Sequence, residues 1–145
     1  MYLVDTNVIS AAAPSRPVPV ALVEWMDSHS AHLFMSAVTV AEIEDGIAKL
    51  RREGARRKST DLAAWLEVVL HLYGDRVLAF DAATARIAGV ISDRARGQGQ
   101  TPGLADIMIA ATARHHGLTI LSRNLRHFEP FGVPVIDPFS RLPSP

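Results

Sequence analysis

Four polar residues of this chain stand beside apolar stretches, at points where an α/β protein does its chemistry. Asp5 closes Tyr2-Leu3-Val4 and runs into Thr6-Asn7, and Glu42 follows Ser36-Ala37-Val38-Thr39-Val40-Ala41. Asp106 precedes the apolar run Ile107 to Ala113, and Asn124 ends Ser122-Arg123-Asn124. In open α/β sheets, ligands and metals bind at the carboxyl ends of the strands. If the strands before these residues are neighbours, three carboxylates and an amide oxygen share one cleft. Packed carboxylates repel and raise one another's pKa, and a divalent cation relieves the repulsion. The chain has no cysteine and no evident histidine pair, so all-oxygen ligation suits a hard ion such as Mg²⁺ or Mn²⁺. Such an ion lowers the pKa of bound water and steadies phosphoryl oxygens, which favours phosphodiester hydrolysis.

The elements that must position these groups alternate along the chain. Residues 1–5 read as a short buried strand. Val18, Ala21, Leu22, Trp25 and Met26 have amphipathic-helix spacing, after prolines at 14, 17 and 19. Residues 32–36 read as a second strand. Val40, Ile43, Ile47 and Leu50 share one side of the helix after it, and Leu62, Trp65, Leu66 and Val69 do so in the next, which stops near Gly74. Residues 76–80 suggest a third strand, and Thr84, Ile87, Ala88, Ile91 and Ala95 line a further helix. Residues 97–103 read as a loop. The run 107–113 is apolar nearly all round, which predicts a buried helix, and 119–122 and 133–136 are the last strand candidates. Strands separated by helices imply a parallel sheet covered on both faces.

Bulk properties narrow the function. With 145 residues, 48% of them hydrophobic, and a mean hydropathy of +0.14, the chain suits one domain with a real core. Fifteen basic and fifteen acidic residues leave a net charge of zero, so no global field attracts nucleic acid or membrane. Without cysteine, disulfides, thiolate nucleophiles and zinc–thiolate sites are excluded. The first apolar stretch is broken by Asp5 and lacks a basic start, unlike a signal peptide. No apolar run reaches the ~18 residues of a membrane span. A soluble, cytoplasmic protein is the expectation.

Four segments carry a family resemblance: Leu3-Val4-Asp5-Thr6-Asn7-Val8-Ile9-Ser10, Ser36 to Ile43, Ala105-Asp106-Ile107-Met108-Ile109-Ala110-Ala111, and Ser122-Arg123-Asn124 with Phe128 after it. In this order they resemble the PIN-domain family, and within it the VapC-like toxins of bacterial toxin–antitoxin pairs. The resemblance implies a three-layer α/β/α sandwich with a mainly parallel central sheet over residues 1–138, followed by a short tail at 139–145. It also implies a Mg²⁺- or Mn²⁺-dependent endoribonuclease that hydrolyses RNA with metal-activated water. Asp5, Glu42 and Asp106 match the metal-binding carboxylates. Asn124 matches a fourth catalytic position, often Asp in the wider family, and its neutrality weakens a second ion site. Ser122 stands where Thr is usual. A cognate antitoxin is implied, with helices at 18–28 and 37–52 forming its groove, together with homodimerisation.

The same residues have plainer readings. Asp5 or Thr6 could cap a short helix at 7–12, and Thr39 to Glu42 has the form of a capping box. Asp106 could complement a helix dipole, and Ser122 and Asn124 could be turn residues. Asp81 reads as the N-cap of the helix after the third strand, with a metal role secondary. Thr6, Asn7, Ser36 and Ser122 are candidates to hydrogen-bond the ligand carboxylates or bound water, and Arg123 to contact a phosphate. His115 and His116 sit before Gly117, at a helix end. The basic run Arg51-Arg52-Glu53-Gly54-Ala55-Arg56-Arg57-Lys58 is either an RNA contact or a solvated helix end. Trp65, Leu66 and Val69 suit either a dimer face or the core. The second functional reading is a non-catalytic RNA- or protein-binding module, although an acidic pocket gains nothing for a binder of polyanions. A third is a phosphatase with Asp5 as nucleophile, disfavoured because Asn7 replaces the second Asp that such enzymes want.

Overall fold

Five short parallel strands form one sheet in the order β3-β2-β1-β4-β5. The computed structural model describes residues 1–14, 16, 17 and 19–144; Val18 of the expected second helix and Pro145 of the tail lie outside them. The strands are β1 (Tyr2–Val4), β2 (Leu33–Ser36), β3 (Val77–Leu78), β4 (Thr119–Leu121) and β5 (Val135–Ile136). In the central register Leu3 pairs with Phe34 on one side and Ile120 on the other. Seven α-helices connect them among the described residues: α1 (Thr6–Ile9), α2 (Val20–Ser28), α3 (Ala37–Arg52), α4 (Arg56–Tyr73), α5 (Ala82–Gly97), α6 (Leu104–His116) and α7 (Leu125–Phe128).

The central strands are mostly apolar, with Leu3, Val4, Leu33, Met35, Ile120 and Leu121 buried, because both faces are covered. Successive strand residues point to opposite sides. Leu3 and Ile120 accordingly enter one core with Ala88, Ile91, Ala95, Ile107, Ala110, Ala111 and Phe128. Val4 and Leu121 enter the other, with Leu22, Met26, Ile43, Ile47, Leu66 and Val69. Helices α5 and α6 therefore cover one face, and α2, α3 and α4 the other. Alanines let α5 and α6 approach closely, which is why 107–113 is apolar all round. This is the expected α/β sandwich with a parallel centre. Among the described residues no helix is long and apolar enough to cross a membrane.

Several boundaries differ from expectation. The third strand is only two residues long, and Arg76 falls in the 3₁₀ turn before it. Its guanidinium donates to the carbonyls of Ser30, Leu33 and Leu72. Helix α6 runs to His116, ending at Gly117, whose φ of +64° is left-handed. The Leu118 amide then returns to the Ala113 carbonyl at 2.9 Å, closing the helix end. Gly97 belongs to α5, so the loop begins at Gln98. Asp81 caps α5 as read, accepting from the Thr84 amide at 2.9 Å and its hydroxyl at 2.8 Å. These two bonds hold its carboxyl below the usual range. Leu66 and Val69 are buried in the core, so the apolar side chains α4 exposes are Val68 and Leu72. Beyond β5, Phe139 and Leu142 pack against the second core.

Candidate functional site

Strand order reverses at β1, since β2 and β3 lie on one side and β4 and β5 on the other. A crevice forms outside the carboxyl ends of β1 and β4 at such a switch point. Asp5 is the first residue past β1 and Ser122 the first past β4. The Asp5 amide donates to the Leu121 carbonyl at 3.0 Å, and the Ser122 amide to the Ile136 carbonyl at 3.0 Å. Both residues are therefore fixed by backbone before their side chains meet.

Asp5 is 4% exposed and held by three donors. The Thr6 amide reaches Oδ1 at 2.8 Å, while Oδ2 receives Asn7 Nδ2 at 3.0 Å and the Ser122 hydroxyl at 2.7 Å. A carboxylate has about four lone-pair sites, so one remains open, on Oδ1. Burial pushes the Asp5 pKa up. The Ser122 and Thr6 hydrogen bonds oppose that shift, and the charges of Glu42 and Asp106 add to it. The three carboxylates thus share one electrostatic environment although they arrive on three elements.

The Ser122 hydroxyl is saturated. It donates to Asp5 and accepts from Asn7 Nδ2 at 3.2 Å and the Asn124 amide at 3.0 Å. Asn7 completes the tie by accepting from the Arg123 amide at 3.1 Å. This residue is needed as a two-proton donor, which an ionised Asp cannot be, so position 7 does not serve the phosphatase reading. Asp5 also caps α1, whose span Thr6–Ile9 and following 3₁₀ turn at Ser10–Ala12 match the short helix foreseen as a plainer reading.

Glu42 is exposed on α3 and accepts from the Thr6 hydroxyl at 2.7 Å. Buried Thr39 lies 3.5 Å from the same hydroxyl. The N-cap of α3 is Ser36, whose hydroxyl accepts from the Val38 amide at 3.1 Å. Thr39 is therefore already inside the helix, and the capping-box reading fails. Asp106 is in the first turn of α6 and 3.0 Å from His127 Nδ1. The Asn124 side chain is exposed and makes no hydrogen bond among the described residues; only its amide joins the network. The Arg123 guanidinium stacks on Phe139, 3.6 Å from the ring centroid.

Among the described residues, no three His, Asp or Glu side chains are close enough together to enclose an ion. The donor chemistry still fits Mg²⁺, which is commonly held by one or two carboxylates with water filling the other positions. Three clefts border the network. One of about 370 Å³ reaches Thr6 and Glu42 between α3 and α4, with Arg16, Lys58 and Asp61 in its walls. Another, about 460 Å³, opens at Asp106, and a third, about 420 Å³, at Arg123 and Asn124. An apolar cleft between α2 and α4, lined by Val23, Met26, Trp65, Val68 and Leu72, lies away from the carboxylates. Two of these four clefts lie against α4, one facing α3 and the other α2. Of the basic run, Lys58 alone lines a cleft among those described; the rest is a solvated helix end and turn.

Residues 2–130 match the PIN domain family. The chain belongs to the PIN-domain family. This PIN domain is 37% identical to Toxin FitB of Neisseria gonorrhoeae, over 96% of its own length and 99% of that protein's. It is 36% identical to the VapC ribonuclease Y4jK of Sinorhizobium fredii, over 96% and 98% of the two lengths. Among solved structures it superposes on FitAcB from Neisseria gonorrhoeae with a TM-score of 0.82 and 37% identity, covering 96% and 99% of the two chains.

Two participants in the PIN-domain site escaped sequence reasoning. His127 is 21 residues from Asp106 in the chain, and no spacing rule links them. Thr39 reads in sequence only as the start of a capping box, and its polarity on the buried side of the helix is the mark of its approach to Thr6.

Proposed function

We propose that this chain is a Mg²⁺- or Mn²⁺-dependent endoribonuclease and the toxin of a toxin–antitoxin pair. The observation that carries this reading is Asp5, a buried carboxylate at the sheet switch point, held by the Thr6 amide while the Thr6 hydroxyl holds Glu42. The likeness to proteins named Toxin FitB and VapC ribonuclease over nearly the whole chain supports it.

Asp5, Glu42 and Asp106 are the residues to hold the ion, with Asn124 completing or orienting the shell. When bound, a divalent cation there neutralises phosphoryl charge and activates water for attack on the phosphodiester. Ser122, Asn7 and the Thr6 amide fix Asp5 and leave one lone pair of Oδ1 for ligation. Thr6 fixes Glu42, and His127 fixes Asp106. Arg123, braced on Phe139, is placed to contact an RNA phosphate. The antitoxin reading is served by the cleft between α3 and α4. A segment lying in it reaches Glu42, where an Arg or Lys would neutralise the carboxylates. Self-association, as a homodimer, would draw on the exposed Val68 and Leu72 of α4.

The test is cleavage of total cellular RNA by the purified protein with Mg²⁺ or Mn²⁺, and with EDTA. Asp5→Asn and Asp106→Asn are run alongside, with folding checked by circular dichroism. Metal-dependent cleavage lost in both variants is expected. Cleavage that survives EDTA or both substitutions would overturn the assignment.

A further inference from the structure

The cleft at Asp106 contains more than a metal carboxylate needs. Its volume of about 460 Å³ lies within the range of small-molecule pockets. Its walls include Gln100 and Pro102 from the α5–α6 loop, and Arg126, His127 and Phe131 from α7 and the turn after it. Chemically these are an apolar floor, an uncommitted amide and a cation. The Gln100 side chain makes no hydrogen bond among the described residues, and Arg126 is exposed and forms no ion pair there. His127 is committed differently: its Nδ1 is on Asp106, so its Nε2 edge is turned away from that carboxylate.

We propose that this cleft is the subsite for the nucleotide adjoining the scissile phosphodiester, with Arg126 on its phosphate and Gln100 reading its base edge. The inference rests on the ribonuclease reading and deepens it. A planar base suits the rings of Pro102 and Pro130, which line the cleft over buried Phe131, because apolar contact with a base face accepts every base. Discrimination then falls to the polar edge. An amide presents both a donor and an acceptor and pairs with complementary patterns on a base. Arg126 supplies charge without sequence information, as phosphate contacts do. His127 joins the subsite to the catalytic cluster, so a seated nucleotide places the next phosphodiester beside Asp106.

Two measurements on the full chain test it. In EDTA, where nothing is cleaved, the four 5′-ribonucleoside monophosphates are titrated and the backbone amides followed by NMR. Saturable shifts are expected at 100–103 and 126–131, with one base bound best. Arg126→Ala should weaken all four by about tenfold, as for a charge-assisted contact, and Gln100→Ala should level the preference among them. Sequencing of cut sites in cellular RNA should then show a flanking-base bias in the native protein that Gln100→Ala erases. Absence of mononucleotide binding, or a base preference and cut-site bias unchanged in both variants, would sink the subsite while leaving metal-dependent cleavage intact. Binding that responds to both variants in a protein that cuts no RNA would sink the ribonuclease reading and leave a nucleotide site.

Discussion

Removing the Ser122 hydroxyl deprives three groups at once: Asp5 of a donor, and Asn7 and the Asn124 amide of an acceptor. Each lost partner of a buried polar group costs roughly 1–3 kcal/mol. Ser122→Ala should therefore lower stability by about 2–4 kcal/mol in urea titrations and abolish most cleavage, while Ser122→Thr keeps both. Asp5 itself makes stability depend on pH in a definite direction. Its folded-state pKa is raised above the ordinary 3.8, so the unfolded chain loses this proton first as pH rises. Its contribution is most favourable below pH 3.8 and is lost as pH climbs through the raised value. In EDTA, subtracting the pH–stability curve of Asp5→Asn from that of the native protein should leave a difference that falls across this window; a flat difference would refute the buried, charged environment. The three carboxylates were legible in the sequence because each borders an apolar run. The hydroxyl and amide that hold Asp5 were legible only as candidates, since Ser122 lies 117 residues from its partner.

At the scale of elements, α7 is a single turn that carries His127 and follows Asn124, and it is anchored by Phe128, which is fully buried. Phe128→Ala should cost about 3–5 kcal/mol, and Phe128→Leu much less. Where Phe128→Ala still folds, Asp106 and His127 should separate, seen as a changed His127 imidazole NMR signal. Short elements were also where the sequence was least legible. One helical turn has no periodicity to read, and at β3 Arg76 is held in a 3₁₀ turn by the carbonyls of Ser30, Leu33 and Leu72. Long helices α3 to α6 were read well because each has a sustained apolar stripe, although α6 gave its burial away more clearly than its length.

For the whole molecule, zero net charge means that RNA bound as proposed would be held by a few local cations. Two phosphate contacts, from Arg123 and Arg126, correspond to a log–log salt slope of about −1.4 for single-stranded RNA. Arg126→Ala should reduce it by about 0.7, and a slope several times steeper would point to a contact surface elsewhere, such as the basic run at 51–58. Ion binding should also register in global stability. At a hundredfold excess over its dissociation constant, Mg²⁺ should stabilise the native protein by about 2.7 kcal/mol, and Asp5→Asn should show no such gain. A denaturation midpoint indifferent to Mg²⁺ and Mn²⁺ would remove the metal from the proposal.

The placement of β1 between β2 and β4 bears on when the candidate site can assemble during synthesis. Strand β1 is made well before one of its two neighbours and the hydroxyl that holds Asp5, both of which lie beyond residue 118. Chains grow at about 5–20 residues per second, so β1 waits several seconds with one edge unpaired. Throughout that time Asp5 lacks the Ser122 hydroxyl that holds it, and the candidate site is incomplete. A chain stopped at residue 118 lacks β4 and Ser122, and should be protease-sensitive and leave RNA uncut.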